Sequence, residues 1–152
     1  MSVPIQKPGR SRQDYGTPPE FLVAVVARFG PLAFDLAASR DNAVVAPYFT
    51  VDDDALSQSW SELRGVLWLN PPFADIEPWA RKCSESCGQH RILLLTPASI
   101  GTEWFAKYVH RKALVLGLRP RMTFAGCADP YPKDLIISVY GVEPGFDTWR
   151  WK

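Results

Sequence analysis

Residues Val66-Leu67-Trp68-Leu69 form an uninterrupted apolar run of strand length that stops at Asn70-Pro71-Pro72-Phe73. A strand apolar on both sides must be covered on both faces, which is the situation of a parallel sheet layered between helices. Two consecutive prolines then end it. Each lacks an N–H and pushes the residue before it into an extended conformation, so the turn that follows is stiff. In an open α/β sheet, ligands bind beyond the carboxyl ends of the strands. At that position Asn70 offers a neutral amide oxygen, the Pro71 carbonyl a second acceptor beside it, and Phe73 a flat apolar face. Two acceptors and an aromatic platform make a socket for a planar NH₂ group on a ring or an amide.

The rest of the chain agrees with an α/β architecture. Phe21, Leu22, Val25, Val26 and Phe29 recur at helical spacing after Thr17-Pro18-Pro19-Glu20, with Thr17 the expected N-cap and Gly30 the stop. Further helices are expected from about Ile76 to Cys87, with Trp79, Ala80, Cys83 and Cys87 on one face, and from Thr102 to Val109, with Trp104, Phe105 and Tyr108 inward. Leu32 to Leu36, Arg91 to Thr96, Ala113 to Leu116, Arg121 to Phe124 and Leu135 to Tyr140 read as strands, with a short one near Tyr48-Phe49. Strands alternating with helices predict a mostly parallel sheet flanked by helices. The last two strands lack a helix between them, which predicts an antiparallel hairpin at that edge.

Composition bounds the function classes. At 152 residues the chain has room for one domain, and 47% hydrophobic residues suffice for a core. Residues 1–13, with Lys7, Arg10 and Arg12 among Pro, Gly and Ser, are expected to be a flexible basic arm, and 14–152 a single domain. Seventeen Lys plus Arg against sixteen Asp plus Glu leave a net charge of +1, which excludes a strongly basic DNA-coating protein. No apolar run approaches the roughly 20 residues of a membrane span, and no signal-peptide pattern opens the chain. Three cysteines without a disulfide pattern fit a reducing, cytoplasmic setting. Cys83, Cys87, His90 and Cys127 match no common zinc spacing, Ser99 lacks a nucleophile-elbow context, and Asp52 to Asp54 lacks the spaced oxygens of a calcium loop. No metal is expected.

The Asn70-Pro71-Pro72-Phe73 tip resembles motif IV of the class I, S-adenosylmethionine-dependent amino-methyltransferases, which act on adenine N-6, cytosine N-4 or a glutamine amide. Phe34-Asp35-Leu36-Ala37-Ala38 resembles motif I, although Ala37-Ala38-Ser39 replaces the usual Gly-x-Gly turn. Asp54-Ala55-Leu56 resembles motif III, and Thr17-Pro18-Pro19-Glu20 resembles the cofactor-contacting segment that precedes the first strand in the adenine enzymes. Thr102 to Phe105 and Arg119 to Phe124 are similar to segments of the phage-type DNA N-6-adenine-methyltransferase family, and the resemblance spans about Asp14 to Gly141.

The resemblance implies a compact Rossmann-like class I methyltransferase fold and S-adenosyl-L-methionine as cofactor. It implies methyl transfer to the N-6 amino group of a flipped adenine in DNA, in a host cytoplasm if the chain is phage-encoded. Asn70, Pro71, Pro72 and Phe73 would be catalytic. Tyr15, Thr17, Pro18, Asp35, Ala37 and Asp54 would bind cofactor, with Asp41 and Asp53 both candidates for its ribose. Arg119 and Arg121 would meet DNA, joined by Arg111, Lys112 and the arm cations. Two alternatives stay open: a protein glutamine methyltransferase, and a nucleic-acid-binding module that has lost cofactor affinity. A second copy of the chain is an open partner.

Overall fold

The structure, a computed structural model, describes residues 16–86 and 88–152. Six strands form one sheet: β1 (Leu32–Asp35), β2 (Gly65–Leu69), β3 (His90–Pro97), β4 (Leu114–Arg119), β5 (Leu135–Tyr140) and β6 (Gly145–Arg150). Their spatial order is β1-β2-β3-β5-β4-β6. β1, β2 and β3 are parallel, and β4 pairs in parallel with β6. Between them β5 runs antiparallel to both β3 and β4, so all five other strands point the same way.

Among the described residues, three helices cover the sheet: α1 (Pro19–Phe29), α2 (Glu77–Glu85) and α3 (Glu103–Tyr108). On one face, Phe21 and Val25 of α1 pack against Trp68, Leu93, Leu116 and Ile137. On the other, Ala80 and Cys83 of α2 and Phe105 of α3 pack against Leu67, Leu69, Leu94 and Ile136. Alternate residues of β2 and β3 thus enter opposite cores, and the run 66–69 is buried throughout.

Several expectations need correcting. The first helix begins one residue late. Pro18, at φ −66° and ψ 140°, is its cap because Pro19 holds the preceding residue extended, and Thr17 stands outside it. Gly30, at φ +96°, ends it as expected. Arg121 to Phe124 is loop, not strand. Met122 and Phe124 are buried with alternating spacing, but their carbonyls accept from Tyr131 N–H and Cys127 N–H rather than joining a ladder. No edge hairpin forms: β5 is inserted between β3 and β4, and the edge is β6, a strand the apolar pattern hid because only Trp149 on it is buried. Tyr48 makes a single parallel bridge to Asp35 instead of a strand. The expected basic arm, Tyr15 and Cys87 lie outside the described residues.

Candidate active site

The loops that leave the carboxyl ends of β1, β2, β3 and β4 gather on one side of the sheet. The segment after β1 folds back along the sheet edge. Asp35 N–H donates to the Pro47 carbonyl (3.2 Å), Phe49 N–H to the Asp35 carbonyl (2.9 Å) and Ala38 N–H to the Phe49 carbonyl (2.9 Å). Two short 3-10 turns follow, Val51–Asp53 and Ala55–Ser57, with Asp54 between them in the left-handed region at φ 52°. Aspartate tolerates that conformation better than most residues. The second turn is clamped to α2: Lys82 Nζ donates to the Leu56 carbonyl (3.1 Å) and lies 5.1 Å from the Trp60 ring centre. Trp60 Nε1 donates to the Ala55 carbonyl (3.0 Å).

These elements enclose a cleft of about 310 Å³. Leu36, Ala37 and Ala38 line it with the tip residues Asn70 and Pro72, and with Val51, Asp54, Ala55 and Trp79. Ser39, Asn42 and Thr50 add polar groups, which the sequence reading missed. Trp79, expected on a buried helix face, is half-buried and is a wall of the cleft. Their position in the first loop past a β-strand's carboxyl end was the available signal. Ala37, Ala38 and Ser39 all have negative φ, so this turn needs no glycine.

A second cavity, about 470 Å³, is lined by Phe73 of the same tip. Phe73, Ile76, Pro97, Ser99, Trp104 and Tyr131 line it, with Asp75, Glu77 and Lys133 at its polar parts. The Phe73 ring is half-buried and meets Tyr131 edge-on at 5.7 Å and Phe124 at 6.4 Å. Edge-to-face contacts of this kind fix a ring's plane. Asn70 and Pro72 therefore face the first cavity and Phe73 the second. Pro71 is buried between them and lines neither.

Other expected site residues are placed differently. Asp35 does not line the cleft. It is 2% exposed, and its two oxygens accept from Ala37 N–H (3.2 Å) and Val44 N–H (3.0 Å), bracing the cleft loop from beneath. Burial pushes its carboxyl up from 3.8 to about 6, against the opposing pull of those two N–H groups. Thr17 and Pro18 stand at the entry of α1, beside the Gly16–Ala125 bridge, and line neither cavity. Asp41 is outside the cleft, and the Asp53 carboxylate is occupied by Thr50 N–H (2.7 Å) and Thr50 Oγ1 (3.1 Å).

Arg121 pairs with Asp134 at 3.0 Å and donates to the Pro132 carbonyl, tying down the loop that carries Tyr131 and Lys133. Arg119 is exposed at the carboxyl end of β4, on the side of the tip. Arg111 and Lys112 precede β4 and so lie at the opposite end of the sheet, which removes them from the expected contacts. Among the described residues, no three His, Cys, Asp or Glu side chains gather as a metal site. His90 is engaged by the Leu63 carbonyl and the Ser86 hydroxyl. Nor is any described helix long and apolar enough to cross a membrane.

Comparison with known proteins bears on this arrangement directly. The family model described as DNA N-6-adenine-methyltransferase (Dam) matches residues 6–131. The chain belongs to that family. A DNA N-6-adenine-methyltransferase of Escherichia phage T1 is 27% identical over 117 residues, covering 76% of this chain and 49% of the phage protein. The chain thus spans about half the length of that relative. The "Putative methyltransferase YfdM" of Escherichia coli (strain K12) is 36% identical over 81 residues, 48% of this chain and 85% of that protein. The structure of a predicted O-methyltransferase from Agrobacterium tumefaciens aligns over 84% of this chain and 71% of its own, at 18% identity and a TM-score of 0.37. The matched region of the Dam family model takes in the whole of the first cleft, the tip and the loop through Tyr131.

Proposed function

We propose that the chain methylates the N-6 amino group of adenine in DNA, with S-adenosyl-L-methionine held in the first cleft and the flipped base in the second. One observation carries this reading: a single stiff tip, Asn70 to Phe73, contributes Asn70 and Pro72 to one cavity and Phe73 to another. A two-substrate transfer needs that arrangement, since donor and acceptor must meet at a common wall without exchanging places.

The first cleft fits a nucleoside carrying a sulfonium-linked amino-acid arm. Its size lies at the lower end of the range for small-molecule sites, with apolar walls and a few placed polar groups. The Trp79 ring and Val51 would cover the purine, Asp54 would accept from its amino group, and Asn42, Thr50 and Ser39 would meet the ribose and the amino-acid end. When bound, the cofactor supplies an activated methyl group. The rest falls to the protein.

An adenine amino nitrogen is a poor nucleophile because its lone pair is shared with the ring. Asn70 Oδ1 and the Pro71 carbonyl would accept hydrogen bonds from its two N–H groups, favouring a more tetrahedral nitrogen and stabilising the positive charge that grows as the methyl arrives; the sulfonium would leave as the neutral thioether, and the methylated nitrogen would then release one proton to solvent. Preorganised dipoles of this kind are worth about 2.7–4 kcal/mol each. The base must leave the duplex, at a cost of a few kcal/mol. Stacking on Phe73 offsets about 1–3 kcal/mol of it. Arg119 and Lys133 are the phosphate contacts, and Arg121 shapes the loop between them.

The test is transfer of labelled methyl from S-adenosylmethionine to separate DNA, RNA and protein pools. Label in DNA adenine is expected, and Asn70→Ala should lower it by roughly 10²–10³-fold while the protein still binds S-adenosylhomocysteine. Label in protein alone would assign the socket to a glutamine amide. Full DNA labelling by the variant would remove Asn70 from the chemistry.

A further inference from the structure

We propose that Ile100 is a wedge that enters the DNA stack where the target base leaves it, an inference that rests on the DNA reading above. Five large apolar side chains stand out as exposed among the described residues: Val23, Val26, Val51, Ile100 and Phe146. Val23 and Val26 lie on the outer side of α1, Phe146 on the edge strand β6, and Val51 in the wall of the first cleft. Ile100 alone adjoins the second cavity, next in sequence to its lining residue Ser99, and it is 67% exposed.

The turn that presents it is pinned at both ends. Ala98 N–H donates to the Asp134 carbonyl (2.9 Å). Ser99, in the left-handed region at φ 38°, has a carbonyl that accepts from both Thr102 N–H (3.1 Å) and Thr102 Oγ1 (2.8 Å). Thr102 Oγ1 in turn accepts from Phe105 N–H at the start of α3 (3.3 Å). A non-glycine residue held at positive φ costs free energy and persists where its surroundings fix it. Ile100 is therefore a stiff, β-branched apolar group on a fixed turn, next to a residue that lines the second cavity and outside both core clusters.

Flipping a base leaves its neighbours unstacked on one side. Apolar side chains such as Ile, Leu and Phe recover part of that loss when they insert between base steps. A short polar side chain at this turn would leave the gap to water. Lys133, on the wall of the same cavity, supplies the nearby positive charge that draws in the backbone.

The test compares labelled methyl transfer to duplex DNA and to the same DNA heat-denatured, which needs no flipping. Ile100→Ala should reduce kcat/KM on duplex by about tenfold or more, leave the single strand within roughly twofold, and recover on duplex as Ile100→Leu. Equal losses on both substrates, no loss on either, or a wild type active on single strands alone would overturn the wedge and leave the proposed chemistry standing. A wild type that labels neither DNA form would overturn the DNA reading itself, and the wedge with it.

Discussion

Asp35 shows how one buried side chain can serve a site without touching its ligand. A motif reading assigns it to the cofactor, but both carboxylate oxygens are taken by N–H groups of its own loop, one of them nine residues on. Sequence gives no hint of the Val44 partner, because the fold of the intervening loop decides it. The consequence is a pH dependence. A carboxyl at about 6 in the folded chain, against 3.8 unfolded, binds more protons folded than unfolded between those values. Its contribution to stability is therefore greatest at the acid side, falls as pH rises through that window, and levels off above it. Asp35→Asn removes the titration and keeps one acceptor in place of two. Denaturation of both proteins should show the wild type losing about 2 kcal/mol relative to the variant between about pH 4 and pH 7. Parallel pH profiles would show that the carboxyl is not held in a dry site.

Among the elements, α3 depends on a cap more than on its length. It has six residues, too few to be stable on propensity, and Thr102 both caps it and closes the Ser99 turn. Thr102→Ala should cost about 1 kcal/mol, seen as a melting point lower by about 2–4 °C. An unchanged melting point would mean the turn is held by its neighbours alone. Elements of this kind were legible where the pattern was strong: β2 and β3 as apolar runs ended by Pro71 and Pro97, and α1 by its spacing and Gly30. The strand order was not. Arg121 to Phe124 alternates like a strand because Met122 and Phe124 anchor a loop in the core, and β6 carries too little apolar surface to announce itself. The insertion of β5 between β3 and β4 is a long-range choice that no local pattern encodes. The tip at Asn70 was legible because prolines act locally, whereas Trp79, Asn42 and Thr50 became site residues only through the fold of the loop after β1.

For the molecule as a whole, function follows from direction. Because β1 to β4 all point the same way, the four loops at their carboxyl ends converge, and both cavities are built from those loops and the starts of α2 and α3. The antiparallel β5 begins at that same end, so the loop from β4 brings Tyr131 and Lys133 against Phe73. Membership of the DNA N-6-adenine-methyltransferase family is compatible with the proposed reading, in which the tip would divide a donor space from an acceptor space. The measurement that bears on it most directly is a crystal structure with S-adenosylhomocysteine bound. The account predicts the ligand's purine between Trp79 and Asp54 and its sulfur turned toward Asn70, with the cavity beside Phe73 left open. Ligand seated against Phe73 and Tyr131 instead would contradict it.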